Sequence, residues 1–92
     1  MLKFEWNTEK AAANYRKHEI SFDEAVTAFS DTLSLTIPDP EHSEDEFRYI
    51  LLGATLAGRL VVVSYTERGE RIRLISARIA TNRERKNYES SD

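Results

Sequence analysis

Apolar and polar residues alternate most clearly in two runs, Arg59 to Thr66 and Arg71 to Arg78, set around the turn Glu67-Arg68-Gly69-Glu70. Two period-two runs flanking a glycine-bearing turn predict an antiparallel hairpin. Thr81-Asn82-Arg83-Glu84 has capping-box spacing, so the second strand should feed directly into a C-terminal helix reaching about Glu89. Upstream, Leu2-Lys3-Phe4-Glu5-Trp6 alternates briefly and predicts a short edge strand. Asn7 or Thr8 then caps an alanine-rich helix running to about His18. Ser21-Phe22-Asp23-Glu24 is a second capping box, with Ile20 and Ala25 placed as a staple. Phe22, Ala25, Val26 and Phe29 recur at helical spacing behind it and predict an amphipathic helix.

Leu33, Leu35 and Ile37 alternate with Ser34 and Thr36, a strand that Pro38 and Pro40 should end because proline donates no ladder hydrogen bond. Phe47 to Ala54 supplies the next strand, and Gly53 and Gly58 bracket the reversal that follows. The predicted order is β-α-α-β-β-β-β-α. Tight links among the later strands favour an antiparallel sheet with helices packed on it, an α+β domain.

Ninety-two residues suit one domain, here residues 1–92. A chain of this size hides about 60–65 % of its unfolded surface, which places any chemistry in a surface cleft. The absence of cysteine excludes disulfides, thiolate ligands and a cysteine nucleophile, and fits a reducing cytoplasm. The opening Met-Leu-Lys-Phe-Glu-Trp does not read as a signal peptide, and the aliphatic run Leu60–Val63 is far short of a membrane span.

Charge divides the chain. Net charge is −3, yet between Arg68 and Tyr88 seven basic residues (Arg68, Arg71, Arg73, Arg78, Arg83, Arg85, Lys86) face two acids (Glu70, Glu84). Between Glu19 and Glu46 lie nine acids and no Lys or Arg, the acidic loop of residues 38–46 among them. A concentrated cationic face in an acidic protein is the footprint of a phosphate-rich or acidic partner. The plainer reading is that Arg71 and Arg73 blunt a sheet face while Arg83, Arg85 and Lys86 solvate a helix. On the first helix, Lys10, Asn14 and Lys17 fall on one stripe with His18 beside it. His18 is equally suited to cap the negative end of that helix. Tyr88 shares a helix face with Glu84 and Arg85, where its ring can also simply pack on the core. His42 with Asp39, Glu44 and Asp45 matches no metal-ligand spacing. The last residues, 90–92, should fray.

Two longer patterns sharpen this picture. Phe4-Glu5-Trp6-Asn7, Lys10, Asn14 and Lys17-His18-Glu19-Ile20-Ser21-Phe22-Asp23-Glu24-Ala25 resemble the N-terminal signature of the BrnT toxin family. Glu67-Arg68-Gly69, Arg71-Ile72-Arg73, Ile75-Ser76-Ala77-Arg78, Ala80-Thr81, Glu84-Arg85 and Tyr88 are similar to its second signature. Glu19 departs from the pattern, standing where the family has a glycine that would give an easy left-handed helix stop.

The resemblance implies a type II toxin with a RelE-like fold, a metal-independent ribonuclease that arrests translation in the cytoplasm. It further implies a BrnA-like ribbon-helix-helix antitoxin, RNA as substrate, free or on the ribosome, and operator DNA reached only through the antitoxin. Carried over by position, Arg78 and Arg85 would hold transition-state charge with Lys10 and Lys17, while His18 and Tyr88 would move protons. Asn14 and Arg68 would grip RNA, joined, on the charge pattern alone, by Arg71, Arg73, Arg83 and Lys86. No cofactor or metal is expected. The alternative is a non-catalytic or degraded toxin that binds antitoxin or nucleic acid in operon autoregulation.

Overall fold

The computed structural model describes residues 2–39 and 46–90; His42, the rest of residues 40–45 and residues 91–92 lie outside them. Five strands, β1 (Lys3–Glu5), β2 (Leu35–Pro38), β3 (Arg48–Ala54), β4 (Leu60–Arg68) and β5 (Arg71–Ile79), form one sheet in the order β1-β5-β4-β3-β2. Three helices complete the chain: α1 (Thr8–His18), α2 (Phe22–Thr27), which tightens into a 3₁₀ turn over Ala28–Ser30, and α3 (Asn82–Ser90). The α+β architecture and the element order are as the alternation predicts.

Each predicted cap forms. Asn7 Oδ1 accepts from the Lys10 N–H at 3.0 Å and Ser21 Oγ from the Glu24 N–H at 3.0 Å. Thr81 and Glu84 bond reciprocally, Thr81 N–H to Glu84 Oε1 at 2.8 Å and Glu84 N–H to Thr81 Oγ1 at 3.2 Å. In the β4–β5 turn Gly69 takes φ +59 while Glu70 does not turn positive, the pattern of a type II′ hairpin whose twist matches its strands. Glu19 itself adopts the left-handed conformation, φ 58 and ψ 30, and its N–H bonds to Tyr15 O. The helix stop expected to be lost without glycine is kept, at a steric cost an L side chain bears and glycine does not.

The sheet is mixed rather than antiparallel. β1 runs parallel to β5, with Lys3, Phe4 and Glu5 opposite Arg71, Ile72 and Arg73. These strands are separated by most of the chain, so no hairpin dictates their sense. The register instead sets Phe4 beside Ile72 on the buried face and Glu5 among arginines on the other. Leu33, expected in the second strand, lies in a turn closed by Asp31, and Pro38 ends the strand as its last residue.

The helices α1 and α2 cover one face, where Ile20, Phe22, Ala25, Ala28, Leu51, Val61, Val63, Ile72, Leu74 and Ala77 form the core. Gly53 allows the close approach of the 3₁₀ turn, since a Cβ there would meet Ala28 O at 3.1 Å. An aromatic tier, Phe4–Phe29–Tyr65–Tyr49, extends the core along the sheet. The opposite face carries Ile50, Leu52, Val62 and Arg78, and among the described residues only the short α3 crosses it.

Candidate functional site

β1 pairs with Arg71–Arg73, and among the described residues the outer edge of β5 lacks a strand partner further along. Asn14 takes the strand's place at Ala77. Its Oδ1 accepts from the Ala77 N–H at 3.1 Å, and its Nδ2 donates to Ala77 O at 2.9 Å and Ile20 O at 3.2 Å. Only 8 % of Asn14 is exposed, and each such buried bond contributes about 1 kcal/mol net, more if a partner is orphaned. The amide that the charge pattern groups with an RNA-gripping stripe is therefore a structural pin without spare capacity for a ligand. Lys10 and Lys17, one turn to either side of Asn14, are exposed along this edge, and His18 is half-buried at the helix end.

Arg78 follows Ala77 and points to the other face of the sheet. Its guanidinium donates in parallel to Glu84, Nη1 to Oε1 at 2.8 Å and Nη2 to Oε2 at 2.9 Å. The Arg78 guanidinium, outweighing partial burial and aided by the Thr81 N–H, holds the Glu84 carboxyl at a pKa of about 2. The same pairing raises Arg78 further above its ordinary value. One carboxylate thus caps α3, fixes a guanidinium and ties the helix to the sheet.

Tyr88, one turn later, donates its hydroxyl to Asp31 Oδ2 at 2.5 Å. Asp31 also accepts from the Ala54 N–H at 2.9 Å and the Leu33 N–H at 3.0 Å. Burial pushes the Asp31 carboxyl up, but the Tyr88 hydroxyl and the two N–H donors together hold it below its usual value. The Asp31 carboxylate in turn, with some burial, raises Tyr88 above the ordinary tyrosine range. The phenol keeps its proton, a poor starting point for a general base. Asp31 does not stand out in the sequence, and Glu24 does so only as part of a capping box, yet each organises an anchor point. Glu24 accepts from Thr55 Oγ1 and from Arg59 Nε and Nη2, joining α2 to the β3–β4 turn.

The cationic face is thinner than its charge count suggests. Arg71 and Arg73 share Glu5, Arg68 pairs with Glu46, and Arg78 with Glu84. Arg83, Arg85 and Lys86 are exposed on α3 and form no ion pair among the described residues. Beneath α3 a groove of about 270 Å³ is floored by Leu35, Ile50, Leu52 and Val62 and walled by Ile37, Glu84 and Asn87. No group of three or more His, Asp or Glu among the described residues is placed to hold a metal ion.

A mixed sheet backed by helices, with cations on the open face and at one edge, makes this a small α+β domain. The chain belongs to the BrnT family, the ribonuclease toxins of type II toxin–antitoxin systems, whose family model matches residues 6–84. Its fold is similar to that in the crystal structure of the Brucella abortus ribonuclease toxin BrnT, at a TM-score of 0.70 and 21 % identity over 89 % of this chain and 100 % of that one. No curated protein sequence matches it. Membership of a type II system implies an antitoxin partner. No helix among the described residues is long and apolar enough to cross a membrane.

Proposed function

We propose that residues 1–92 form one toxin domain, a metal-independent endoribonuclease that cleaves cytoplasmic RNA and so arrests translation. In the proposed reaction the ribose 2′-hydroxyl attacks the adjacent phosphorus and the 5′ oxygen leaves, giving a 2′,3′-cyclic phosphate and a 5′-hydroxyl end. A base must take the 2′-hydroxyl proton, an acid must protonate the leaving oxygen, and cations must hold the charge of the phosphorane. His18 is assigned proton transfer and Arg78 the phosphorane charge. Lys10, Lys17 and Arg85 grip the flanking phosphates, with Arg83 and Lys86 extending the cationic rim. Tyr88, its proton committed to Asp31, is assigned to holding α3 in place.

One observation supports this reading. Asn14 pins α1 to the β5 edge at Ala77, so the Lys17–His18 end of α1 follows one turn after that anchor while Arg78, the next residue of the strand, turns to the open face. The partner is a BrnA-like ribbon-helix-helix antitoxin, through which the toxin reaches operator DNA.

The bidentate Arg78–Glu84 pair favours a second reading, because a neutralised guanidinium attracts phosphate weakly. On that reading the chain binds antitoxin in operon autoregulation and cleaves nothing. Incubating the purified chain with labelled RNA in EDTA, beside an Arg78→Ala control, separates the two. Cyclic-phosphate ends that disappear in the control are expected. RNA left intact by the wild-type chain, both alone and with translating ribosomes, would establish the binding reading instead.

A further inference from the structure

The groove under α3 is not needed for the proposed cleavage, and its chemistry is wrong for RNA. Its floor is aliphatic, with neither an aromatic ring for a base to stack on nor a donor to read a base edge. Ile37 on its outer wall is 58 % exposed, and β2 is the edge strand of the sheet. A concave apolar surface with a polar rim marks a partner site.

The rim indicates which partner. Glu84 is matched by Arg78, so the carboxylate in the wall presents no net charge to an occupant. Arg83 lies one turn before Asn87 on the groove side of α3, and Lys86 lies beside that stripe. Both are exposed and have no carboxylate partner among the described residues. A second copy of the chain docked groove to groove across a two-fold axis would bring these cations against their own counterparts. An acidic segment carrying aliphatic side chains complements both floor and rim.

We infer that the groove between α3 and strands β2–β4 docks an acidic segment of the antitoxin that inserts aliphatic side chains over Leu35, Ile37 and Leu52. The inference deepens the toxin reading above and rests on family membership for the existence of that partner. Docking there lays the antitoxin across α3 and the Arg78–Glu84 pair, so a single segment occupies the groove and shields the arginine.

The test measures binding of the full-length cognate antitoxin to the full chain by calorimetry, with RNA cleavage followed in parallel. Ile37→Glu places a carboxylate on an exposed wall position where folding tolerates it, and circular dichroism checks that it does. Affinity should fall about tenfold or more, as for loss of an apolar contact inside an interface, while cleavage stays within about twofold. Ile37→Lys removes the same apolar contact without repelling an acidic segment and should lose less affinity than Ile37→Glu. Arg83→Glu should weaken binding and flatten its dependence on salt.

Unchanged affinity in Ile37→Glu overturns the inference. So does a wild-type chain that doubles in mass by itself and becomes monomeric on Ile37→Glu, which would make the groove a self-association surface. A loss of cleavage matching the loss of antitoxin affinity overturns it as well, because the groove would then lie on the RNA path. If the wild-type chain leaves RNA intact yet Ile37→Glu still loses antitoxin, docking stands and the ribonuclease reading falls.

Discussion

Two glutamate–arginine pairs tie helices to the sheet, and they differ in what surrounds each arginine. Arg59 gives Nε and Nη2 to Glu24 and a further bond from Nη2 to Glu19 O, while Thr55 Oγ1 donates to the same carboxylate and accepts the Arg59 N–H. That network is closed and serves to lock α2 onto the β3–β4 turn. Arg78 gives Nη1 and Nη2 to Glu84, and its only other hydrogen bond among the described residues is a long one of 3.4 Å to Ile79 O. Its Nε has no bond among the described residues, and its side chain remains 41 % exposed on the open face. Arg59 is as exposed, at 40 %, and also keeps donors unused among the described residues, so what separates the two is position: the spare donors of Arg78 lie on the open face of the sheet, where they can donate to phosphate oxygens. The chemistry of the pairs is the same; a place in a closed three-segment network or on the open face of the sheet separates a fastening from a candidate catalytic group.

The largest effect expected from this contrast is on RNA cleavage. Arg78→Ala should lower the cleavage rate by about 10²–10³, the usual consequence of losing a group that stabilises developing charge. Arg78→Lys keeps a cation beside Glu84 but not the planar fork, and should fall between wild type and alanine. Arg59→Ala is the counterpart. It should lower the melting temperature while leaving the cleavage rate per folded molecule unchanged. Rate and thermal melts measured on all three variants check the contrast, and equal loss of rate in Arg59→Ala would dissolve it.

Acid should affect both pairs, with Glu84 giving the clearer signal. Its folded-state pKa of about 2 lies below the ordinary 4.5, so its contribution is fully present above about pH 4.5 and is lost as pH falls toward 2. Screening at the part-exposed Arg78 reduces that contribution to about 1–2 kcal/mol. Wild type should therefore melt above Glu84→Gln at neutral pH, and the gap should close steadily between about pH 4.5 and pH 2. Melting curves across that range are the measurement, and a constant gap would show that Glu84 acts through its cap alone. Glu24 is lowered as well, chiefly by its bond from Arg59 against partial burial, so Glu24→Gln should show a gap closing in the same direction.

Features written in neighbouring residues were legible in the sequence. The capping boxes at Ser21–Glu24 and Thr81–Glu84, the β4–β5 hairpin and the helical face of Phe22 and Ala25 all depend on partners within a few positions. The site is less legible because its contacts span the chain. Asn14 shares a spacing with Lys10 and Lys17, which groups it with the cations, but its partner is a strand edge 63 residues away. A polar amide set among alanines and followed by a helix stop was the available hint of burial. Asp31 reads as a loop acid, although it collects the Ala54 N–H from 23 residues away and the Tyr88 hydroxyl from 57. The seven clustered basic residues read as one field because charge was counted along the sequence. Across the sheet, Glu5 and Glu46 from distant segments reach Arg71, Arg73 and Arg68.

The smallest expected effect lies at the closed end of the comparison. Glu19 ends α1 in the left-handed region while its carbonyl accepts from Arg59 Nη2. The left-handed conformation costs an L residue about 1–2 kcal/mol, which glycine avoids. Glycine also gives the unfolded chain more freedom, which offsets about 0.4–1 kcal/mol of that gain. Glu19→Gly keeps the carbonyl and hence the bond from Arg59, so the net should be a stabilisation of about 0.5–1 kcal/mol, a rise in melting temperature of roughly 2–6 °C for a domain of this size. A fall in melting temperature would mean that the Glu19 side chain itself supports the Arg59 network. The rate of RNA cleavage should not change, because the backbone path through the end of α1 is the same in both chains.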